Sequence, residues 1–369
     1  MSAPSPVRPD YAGACLTNLT AAVRAVPAKR PAWLPAPARE AERVVLLLLD
    51  GLGWQQLQGA PSLAPTMVGM VGGRATSVAP TTTATALTSL TTGVAPAAHG
   101  VVGYRVRVPG DEVMNVLAWR TPAGDARQRV DPASFVRAAA FPGGPVVPVV
   151  TRSEFAATGF TVAHLGGSRL IGWRQASTLV VEVDHLLKAG VPYVYAYYDG
   201  IDRVAHEYGL GEHWEAEVRA SDRLVSDLIE ILPPDAALVV TADHGQVDVG
   251  EGARAVPAGV GAATAFMSGE GRFRWLHARP GAGADLLAAA TESFGDEAWV
   301  FSRDELVGDG WLGGEPDGDV CLRLGDVAIV PFAPIAIIDP ADPGERRLMS
   351  RHGSLTEAEM YVPLLAQGG

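Results

Sequence analysis

The stretch that decides the fold is VVLLLLDGLG, residues 44–53. Its first six residues are apolar without alternation, which is typical of a strand buried on both faces of a parallel sheet. Open α/β sheets bind their ligands beyond the carboxyl ends of the strands, and Asp50 directly follows this strand. The segment therefore predicts an α/β core with an acidic side chain at its ligand-binding edge.

Acidic residues follow two further apolar segments in the same way. Residues 191–198 read as a buried strand that runs into Asp199 and Asp202, and residues 236–241 read as another that runs into Asp243. One acid after a strand is an ordinary helix cap. Three apolar strands that all end in acids predict a shared site at one edge of the sheet.

Helices are predicted around these strands, with an amphipathic pattern at residues 176–188 and a long helical segment at 212–231. Alternation of buried strands with helices predicts a doubly wound, mostly parallel sheet with helices on both faces. Residues 121–150 read as loops, and residues 160–165 read as a strand.

A threonine-rich segment, PTTTATALTSLTTGVAPAAHG at residues 80–100, predicts a helix that begins near Thr83 and ends at Gly93. The N–H groups and the dipole at a helix start favour anions and stabilise an alkoxide. We therefore predict Thr83 as a catalytic nucleophile that faces a phosphate. A capping and packing role for the threonines is the alternative.

Histidines stand close to two of the acids. Asp202 and His206 are four residues apart, so on a helical turn both point to one face. Asp243 and His244 are adjacent in a loop after a strand, and His352 is placed to complete a set from the C-terminal side. Imidazole and carboxylate together suit zinc, and also manganese or iron.

The motifs that carry chemistry occur in one order along residues 44–353. They are Leu49-Asp50-Gly51-Leu52, Pro80-Thr81-Thr82-Thr83, Thr92-Gly93 with His99-Gly100, Asp202 to His206, Asp243-His244-Gly245 and His352-Gly353. In this order they resemble the alkaline phosphatase superfamily and, within it, the nucleotide pyrophosphatase/phosphodiesterase family.

The resemblance implies a phosphoryl-transfer hydrolase with two divalent metal ions, zinc first and manganese or iron as alternatives. It implies a phosphothreonine-type intermediate at Thr83, since metal coordination lowers the pKa of a hydroxyl that is otherwise a poor nucleophile. One ion would be held by Asp50, Thr83, Asp243 and His244. The other would be held by Asp202, His206 and His352.

The chain departs from the family pattern in two places. Residues 84–87 (ATAL) follow Thr83 where the family usually has Phe-Pro-Asn-His, and Tyr104 stands where the family places a phosphate-binding asparagine. Tyr104, Trp54 and Arg105 are predicted as substrate contacts. A shifted alignment would make Thr82 or Thr81 the nucleophile instead.

A phosphodiester is the leading substrate class. A phosphomonoester or phosphonate hydrolase of the same superfamily is the nearest alternative. A non-catalytic metal- or phosphate-binding protein with this fold is the alternative of another class. A metal assay with hydrolysis of a chromogenic diester and its matching monoester separates the three.

Composition limits the partners. A formal net charge of −12 argues against binding to a nucleic-acid polymer, whereas a small phosphorylated substrate remains compatible with metal ions. No apolar run approaches about 18 residues, so no membrane span is predicted. The N-terminal residues lack the apolar segment of a signal peptide, and the expected location is the cytoplasm. The oligomeric state stays open.

The expected domain organisation has three parts. Residues 1–40 are rich in alanine and proline and are predicted as an arm packed on the core. Residues 41–250 and 346–369 form the predicted metal-binding catalytic core. Residues 251–345, where glycine-rich loops alternate with short helical and strand-like runs, are predicted as an inserted α+β cap lobe that selects the substrate.

Overall fold

A seven-stranded sheet forms the centre of the computed structural model, which describes residues 3–342 and 344–369. Across the sheet the strands are Val71–Thr76, Tyr361–Gly368, Ala236–Thr241, Arg43–Leu49, Tyr193–Tyr198, Pro148–Arg152 and Arg169–Trp173. The strand Tyr361–Gly368 runs antiparallel to both neighbours, and the other adjacent pairs are parallel. The predicted α/β fold with a mostly parallel sheet is confirmed.

The three strands that precede the predicted acids are direct neighbours in this sheet. Arg43–Leu49 lies between Ala236–Thr241 and Tyr193–Tyr198 and pairs in parallel with both. Every residue from 44 to 49 is buried, because sheet neighbours cover its edges and side chains cover its faces. Since carboxyl ends of parallel strands meet at one edge, the residues after these strands are brought together.

The helices pack in layers around the sheet. Thr83–Thr92 contacts Leu16–Arg24 and Gly159–Leu165, whereas Glu212–Glu230 contacts Ala176–Lys188 and Gly200–Tyr208. The remaining α-helices of the described residues are Ala36–Glu40, Trp54–Gly59, Pro65–Gly69, Pro96–His99, Pro132–Phe135, Ala258–Ala263, Gly283–Phe294, Arg303–Gly308, Gly318–Cys321 and Glu357–Met360. Among the helices described, none is both long enough and apolar enough to cross a membrane. The cytoplasmic location stays a prediction.

Two four-stranded sheets and two strand pairs lie outside the central sheet. They comprise Arg105–Val108, Glu112–Asn115, Arg120–Thr121 and Gly124–Asp125; Thr264–Glu270, Phe273–Ala278, Val327–Pro331 and Ala298–Ser302; Val247–Asp248 with Ser350–Arg351; and Ala253–Ala255 with Ala336–Ile338. The second of these sheets is built from residues of the predicted cap lobe.

The lobe sheet contributes to two hydrophobic clusters. Phe273 and Trp275 belong to the main core, whereas Leu276, Leu286 and Ile329 belong to a separate cluster under the Gly283–Phe294 helix. The lobe residues therefore pack on the core through one side and on their own helix through the other. The division into arm, core and lobe stays a prediction.

Two segments differ from the sequence prediction. Residues 160–165 were expected as a strand, but Gly159–Leu165 is a helix whose start is capped by Thr158, with the N–H of Thr161 donating to Oγ1 at 3.2 Å. The β-branched and aromatic residues favour a strand locally, but the cap and the packing on Thr83–Thr92 favour the helix. The last two strands on one side of the central sheet, Pro148–Arg152 and Arg169–Trp173, were not predicted from the sequence.

Candidate metal centre

Asp50 and Asp243 come together where their strands end. Asp243 accepts hydrogen bonds at Oδ1 from the N–H groups of Gly51 and His244, both at 3.1 Å, and Asp50 accepts one at Oδ2 from the hydroxyl of Tyr197. Oδ1 of Asp50 and Oδ2 of Asp243 are buried and have no hydrogen-bond partner among the described residues. Each carboxylate therefore keeps one free oxygen inside the protein.

Gly51 permits the close approach of the third acid. Its φ is +77°, and a Cβ at this position would lie 3.0 Å from Cα of Asp202 and 2.6 Å from Nε2 of Gln246. Only glycine meets both conditions without displacing its neighbours. The N–H of Asp202 also donates to the carbonyl of Asp50 at 3.1 Å, which ties the Gly200–Tyr208 helix to the strand end.

The three histidines are oriented in the same manner. Nδ1 of His206 lies 2.8 Å from the carbonyl of Ser350, Nδ1 of His244 lies 3.1 Å from that of Gly245, and Nδ1 of His352 lies 2.9 Å from that of Thr81. A carbonyl only accepts, so these contacts fix the proton on Nδ1. Nε2 of each ring is left with a lone pair, the arrangement found in metal-binding histidines.

The Nε2 atoms and the carboxylates face one another. Nε2 of His244 lies 3.2 Å from Oδ2 of Asp243 and 3.5 Å from Oδ1 of Asp50. Nε2 of His206 and of His352 lie 3.3 Å and 3.9 Å from Oδ1 of Asp202. The rings of His244 and His352 stack with their centroids 3.5 Å apart, so the two halves of the site are contiguous.

Burial shifts the pKa of the three acids and of two histidines in the direction that favours their neutral forms. Burial, together with the charges of neighbouring carboxylates, raises the pKa of Asp50 well above its usual value, and burial raises the pKa of Asp202 and Asp243. Burial lowers the pKa of His244, and burial with the two other imidazoles lowers that of His352. The site therefore contains acids that resist ionisation and imidazoles that stay neutral.

These residues fit divalent metal ions. The ion pairs found in the described part of the chain join the three aspartates only to histidine, not to lysine or arginine. Two groups of possible ligand atoms, each within 4.8 Å, are formed by Asp50, Asp243 and His244 and by Asp202, His244 and His352. Nitrogen and oxygen ligands with unpaired buried oxygens are the donor set that zinc and related cations take.

Thr83 begins the Thr83–Thr92 helix beside these ligands. Its Oγ1 lies 3.1 Å from Nε2 of His244, and the side chain of Thr82 at the helix cap makes no capping hydrogen bond. The hydroxyl of Thr81 is bound elsewhere, since it donates to the carbonyl of Ser354 at 2.8 Å and accepts from the N–H of Gly353 at 3.1 Å. Of the three threonines, Thr83 is the one whose hydroxyl reaches the histidine.

The residues predicted as substrate contacts lie in different places. Tyr104 lines a cleft beside Thr83, and burial raises its pKa to about 12, so its phenol remains a hydrogen-bond donor. Arg105 is buried in ion pairs with Asp339 and Asp342. Trp54 packs against the main hydrophobic core. The structure therefore brings Tyr104, but neither of the other two, to the site.

Sequence reasoning missed two polar side chains at the site. Gln246 donates from Nε2 to Oδ1 of Asp202 at 2.7 Å and accepts from the hydroxyl of Ser350 at 2.6 Å. Glu270 lines the cleft, and burial raises its pKa to about 8. Gln246 follows Asp243 by three residues in the same loop, and this spacing could have identified it from the sequence. Glu270 belongs to the lobe sheet and carries no local signal.

Two clefts border Thr83. The lobe-side cleft, about 370 Å³, includes Tyr104, Glu270 and Arg351 in its walls, and the outer cleft, about 490 Å³, includes Arg152 and Arg203. Both clefts are also lined by Thr83, Leu117 and Asp202. A group bound at Thr83 therefore has room for substituents in two directions.

The chain is similar to known proteins in family and in fold. A family model described as type I phosphodiesterase / nucleotide pyrophosphatase matches residues 44–259. No curated protein sequence matches the chain. Among solved structures, murine ectonucleotide pyrophosphatase / phosphodiesterase 5 is similar, with a TM-score of 0.67 and 16% identity over 89% of this chain and 88% of that chain.

Two further solved structures are similar to the chain. One is an inactive threonine-to-alanine variant of the same murine protein in complex with AMP, with the same TM-score, identity and coverage. The other is phosphonoacetate hydrolase from Sinorhizobium meliloti 1021 in complex with phosphonoformate, with a TM-score of 0.64 and 19% identity over 89% of this chain and 90% of that chain. At these identities the similarity is one of fold.

Proposed function

Because the chain belongs to the type I phosphodiesterase / nucleotide pyrophosphatase family, a family of hydrolases, we propose that it is a two-metal phosphodiesterase with Thr83 as nucleophile. The observation that carries the proposal is the convergence of the free Nε2 atoms and unpaired carboxylate oxygens beside the Thr83 hydroxyl. Asp50, Asp243, His244 and Thr83 would hold one ion, and Asp202, His206 and His352 the other. Zinc is the metal that we propose, with manganese or iron as alternatives.

The bound ions would supply positive charge that lowers the pKa of the Thr83 hydroxyl and stabilises the attacking and leaving oxygens. The Thr83 hydroxyl loses its proton to solvent as Oγ1 forms a bond to phosphorus. The bond from phosphorus to the leaving alcohol breaks, and the alcohol oxygen takes the electron pair and then a proton from solvent. Water then attacks the phosphothreonine and releases a proton, and Oγ1 leaves and is protonated again. Uncapped N–H groups of the first helical turn lie at the same end of the Thr83–Thr92 helix and favour the phosphoryl oxygens.

The two clefts support a diester as substrate. A phosphodiester carries two organic substituents on phosphorus, and a centre at Thr83 gives one of them the lobe-side cleft and the other the outer cleft. A monoester would use one cleft. The aromatic residue that usually follows the nucleophile in the family is Ala84 here, so we do not specify a nucleotide as the substrate.

The test is a metal titration combined with two chromogenic esters. We expect the metal-free enzyme to be inactive, and zinc, manganese or iron(II) to restore faster turnover of bis(4-nitrophenyl) phosphate than of 4-nitrophenyl phosphate. Faster turnover of the monoester would contradict the substrate class. The similar phosphonoacetate hydrolase fold makes phosphonoacetate the third compound to assay. Absence of metal binding and of turnover with all three compounds would favour the non-catalytic alternative.

A further inference from the structure

A third cavity is lined in part by Thr83, the proposed nucleophile. This inner cavity, about 170 Å³, is enclosed between the Thr83–Thr92 helix, the Gly159–Leu165 helix and the central sheet. Most of its wall is apolar, formed by the side chains of Leu87, Leu117, Val149, Phe155, Phe160 and Leu165. At about 30 Å³ for each water-sized group, the volume admits roughly six such groups.

The inner cavity adjoins the outer cleft. Thr83, Leu117, Phe155 and Tyr197 line both spaces. A substituent on a phosphorus atom at Thr83 would therefore start at the wall of the inner cavity, and Thr83 is the only proposed metal ligand in the described lining of that cavity. Thr83, the proposed nucleophile, is part of the cavity wall, so the cavity lies next to the proposed reaction centre.

The polar groups of the inner cavity carry no charge at neutral pH. Burial lowers the pKa of His164 to about 4, and its Nδ1 lies 2.7 Å from the carbonyl of Phe160. The side chain of Tyr195 lines the cavity, and its hydroxyl is buried with no hydrogen-bond partner in the described ranges 3–342 and 344–369. A neutral apolar group fits such a space, and a charged group does not.

We propose that the inner cavity binds an alkyl or aryl substituent on phosphorus, so that the enzyme prefers phosphodiesters with one apolar ester group of about five carbons. The inference rests on the proposed function, because it places phosphorus at Thr83. The unpaired hydroxyl of Tyr195 would meet one acceptor atom of the substituent or a single water molecule.

The first test measures binding without turnover. Zinc-loaded enzyme is titrated calorimetrically with alkylphosphonates from methyl to octyl. Since each buried methylene contributes about 0.8 kcal/mol, we expect Kd to fall about fourfold per carbon until the cavity is filled near five carbons. An affinity that does not depend on chain length would overturn the inference.

The second test measures alkyl 4-nitrophenyl phosphates that share one leaving group. We expect kcat/KM for the pentyl ester to exceed that for the methyl ester by at least about tenfold. Turnover of every ester at one common rate would contradict the inference and leave the phosphodiesterase proposal intact. Chain-length-dependent binding of the phosphonates without turnover of any ester would support the cavity and contradict the proposed function.

Substitutions at Leu165 test the cavity independently of protein stability. The ratio of kcat/KM for the pentyl ester to kcat/KM for the methyl ester, measured on one enzyme preparation, does not depend on the fraction of that enzyme that is folded. We expect Leu165→Phe to lower the pentyl-to-methyl ratio at least about tenfold and Leu165→Ala to move the optimum to longer chains. Leu186→Phe is the matched control, since Leu186 is equally exposed, 5%, and lies in another helix outside the cavity wall. A lowered ratio in the control, or an unchanged ratio in both Leu165 variants, would overturn the assignment.

Discussion

Two buried clusters of charged residues differ in how their charges are paired. In the first, Arg272 donates from Nε and Nη2 to the two carboxylate oxygens of Glu359 at 2.7 and 2.8 Å, while its remaining donors reach backbone carbonyls. Both side chains are fully buried. In the second, the candidate metal centre, Asp50 and Asp243 are equally buried, and each keeps an oxygen without a donor.

This difference indicates what each cluster is for. A buried ion pair is tolerated when each charge has a partner and each lone pair a donor, as in Arg272–Glu359. The acids of the metal centre have no lysine or arginine partner in the described structure, so ionising them together is unfavourable until a cation is bound. The first cluster is complete without a ligand, and the second leaves acceptor atoms for the cation that we propose to bind there.

The largest expected effect is on catalysis at the unpaired cluster. We expect Thr83→Ala to lower kcat for a chromogenic phosphodiester on the order of 10⁴-fold or more, because the proposed nucleophile is removed. Steady-state assays with a measured zinc content check the result. The control is Thr85→Val, two residues further along the same helix, because the Thr85 hydroxyl is buried, has no hydrogen-bond partner among the described residues and should be dispensable. Full activity in the alanine variant would remove Thr83 from the mechanism.

The next prediction substitutes one acid in each cluster. Asp243→Asn should weaken zinc binding by more than about 100-fold. Loss of a residue that only orients a metal ligand costs about 10–100-fold, and Asp243 is itself a proposed ligand. The same variant should unfold at higher denaturant concentration without metal, since an amide donor would face Nε2 of His244 at 3.2 Å. Metal titration and urea unfolding measure the two effects.

Glu359→Gln is the counterpart in the paired cluster. It should lower the free energy of unfolding by about 3–5 kcal/mol, because Arg272 is left as a buried charge without its counter-ion. Zinc affinity measured on the folded variant should stay near that of the unsubstituted protein. If both substitutions changed stability in the same direction, the distinction between the two clusters would fail.

A smaller effect is expected from the amide that holds one ligand. Gln246→Ala removes the hydrogen bond from Nε2 to Oδ1 of Asp202 and should weaken metal binding about 10–100-fold. Gln55→Ala, which removes an exposed glutamine bonded to Glu357, is the control and should bind metal normally. Competition with a chromogenic chelator provides the measurement, and equal affinities would show that Gln246 does not orient Asp202.

The smallest effect concerns pH in the metal-free protein. Burial raises the pKa of Glu270 to about 8, above about 4.3 in the unfolded chain. Between these two pKa values the carboxyl group is protonated in the folded state and ionised in the unfolded state. Because of this group, the free energy of unfolding falls by about 1.4 kcal/mol for each pH unit as pH rises.

Glu270→Gln should therefore flatten the pH dependence of unfolding between pH 6.5 and 8. Burial also raises the pKa of Asp50, Asp202 and Asp243. These three groups lower the free energy of unfolding with rising pH in the unsubstituted protein and in the Glu270→Gln variant alike. The lowered pKa of His244 and His352 gives the opposite slope only below about pH 6.5. Urea unfolding of both proteins at several pH values measures the difference, and parallel pH profiles would contradict the assignment to Glu270.

The strand ends were predictable because local patterns mark them. Uninterrupted apolar runs identified the three central strands, and the acids after those runs met because neighbouring parallel strands end at one edge. The spacing of Asp202 and His206 was informative because the segment is a helix. These features depend on residues that are adjacent in sequence.

The remaining features depend on contacts between distant residues. Glu270 reaches the site from the lobe sheet, and Arg105 turns away from it because Asp339, more than 200 residues later, supplies its counter-ion. The helix at Gly159–Leu165 was misread as a strand because its local composition opposes its tertiary packing. No short pattern in the sequence records such juxtapositions.

The position of the Tyr361–Gly368 strand sets an order on biosynthesis. It lies between Val71–Thr76 and Ala236–Thr241, so the central sheet stays split until residues 361–368 have left the ribosome. His352 precedes that strand and emerges shortly before it. The proposed metal centre therefore stays incomplete in the nascent chain until His352 has emerged, and we expect metal binding and closure of the central sheet to be coupled events.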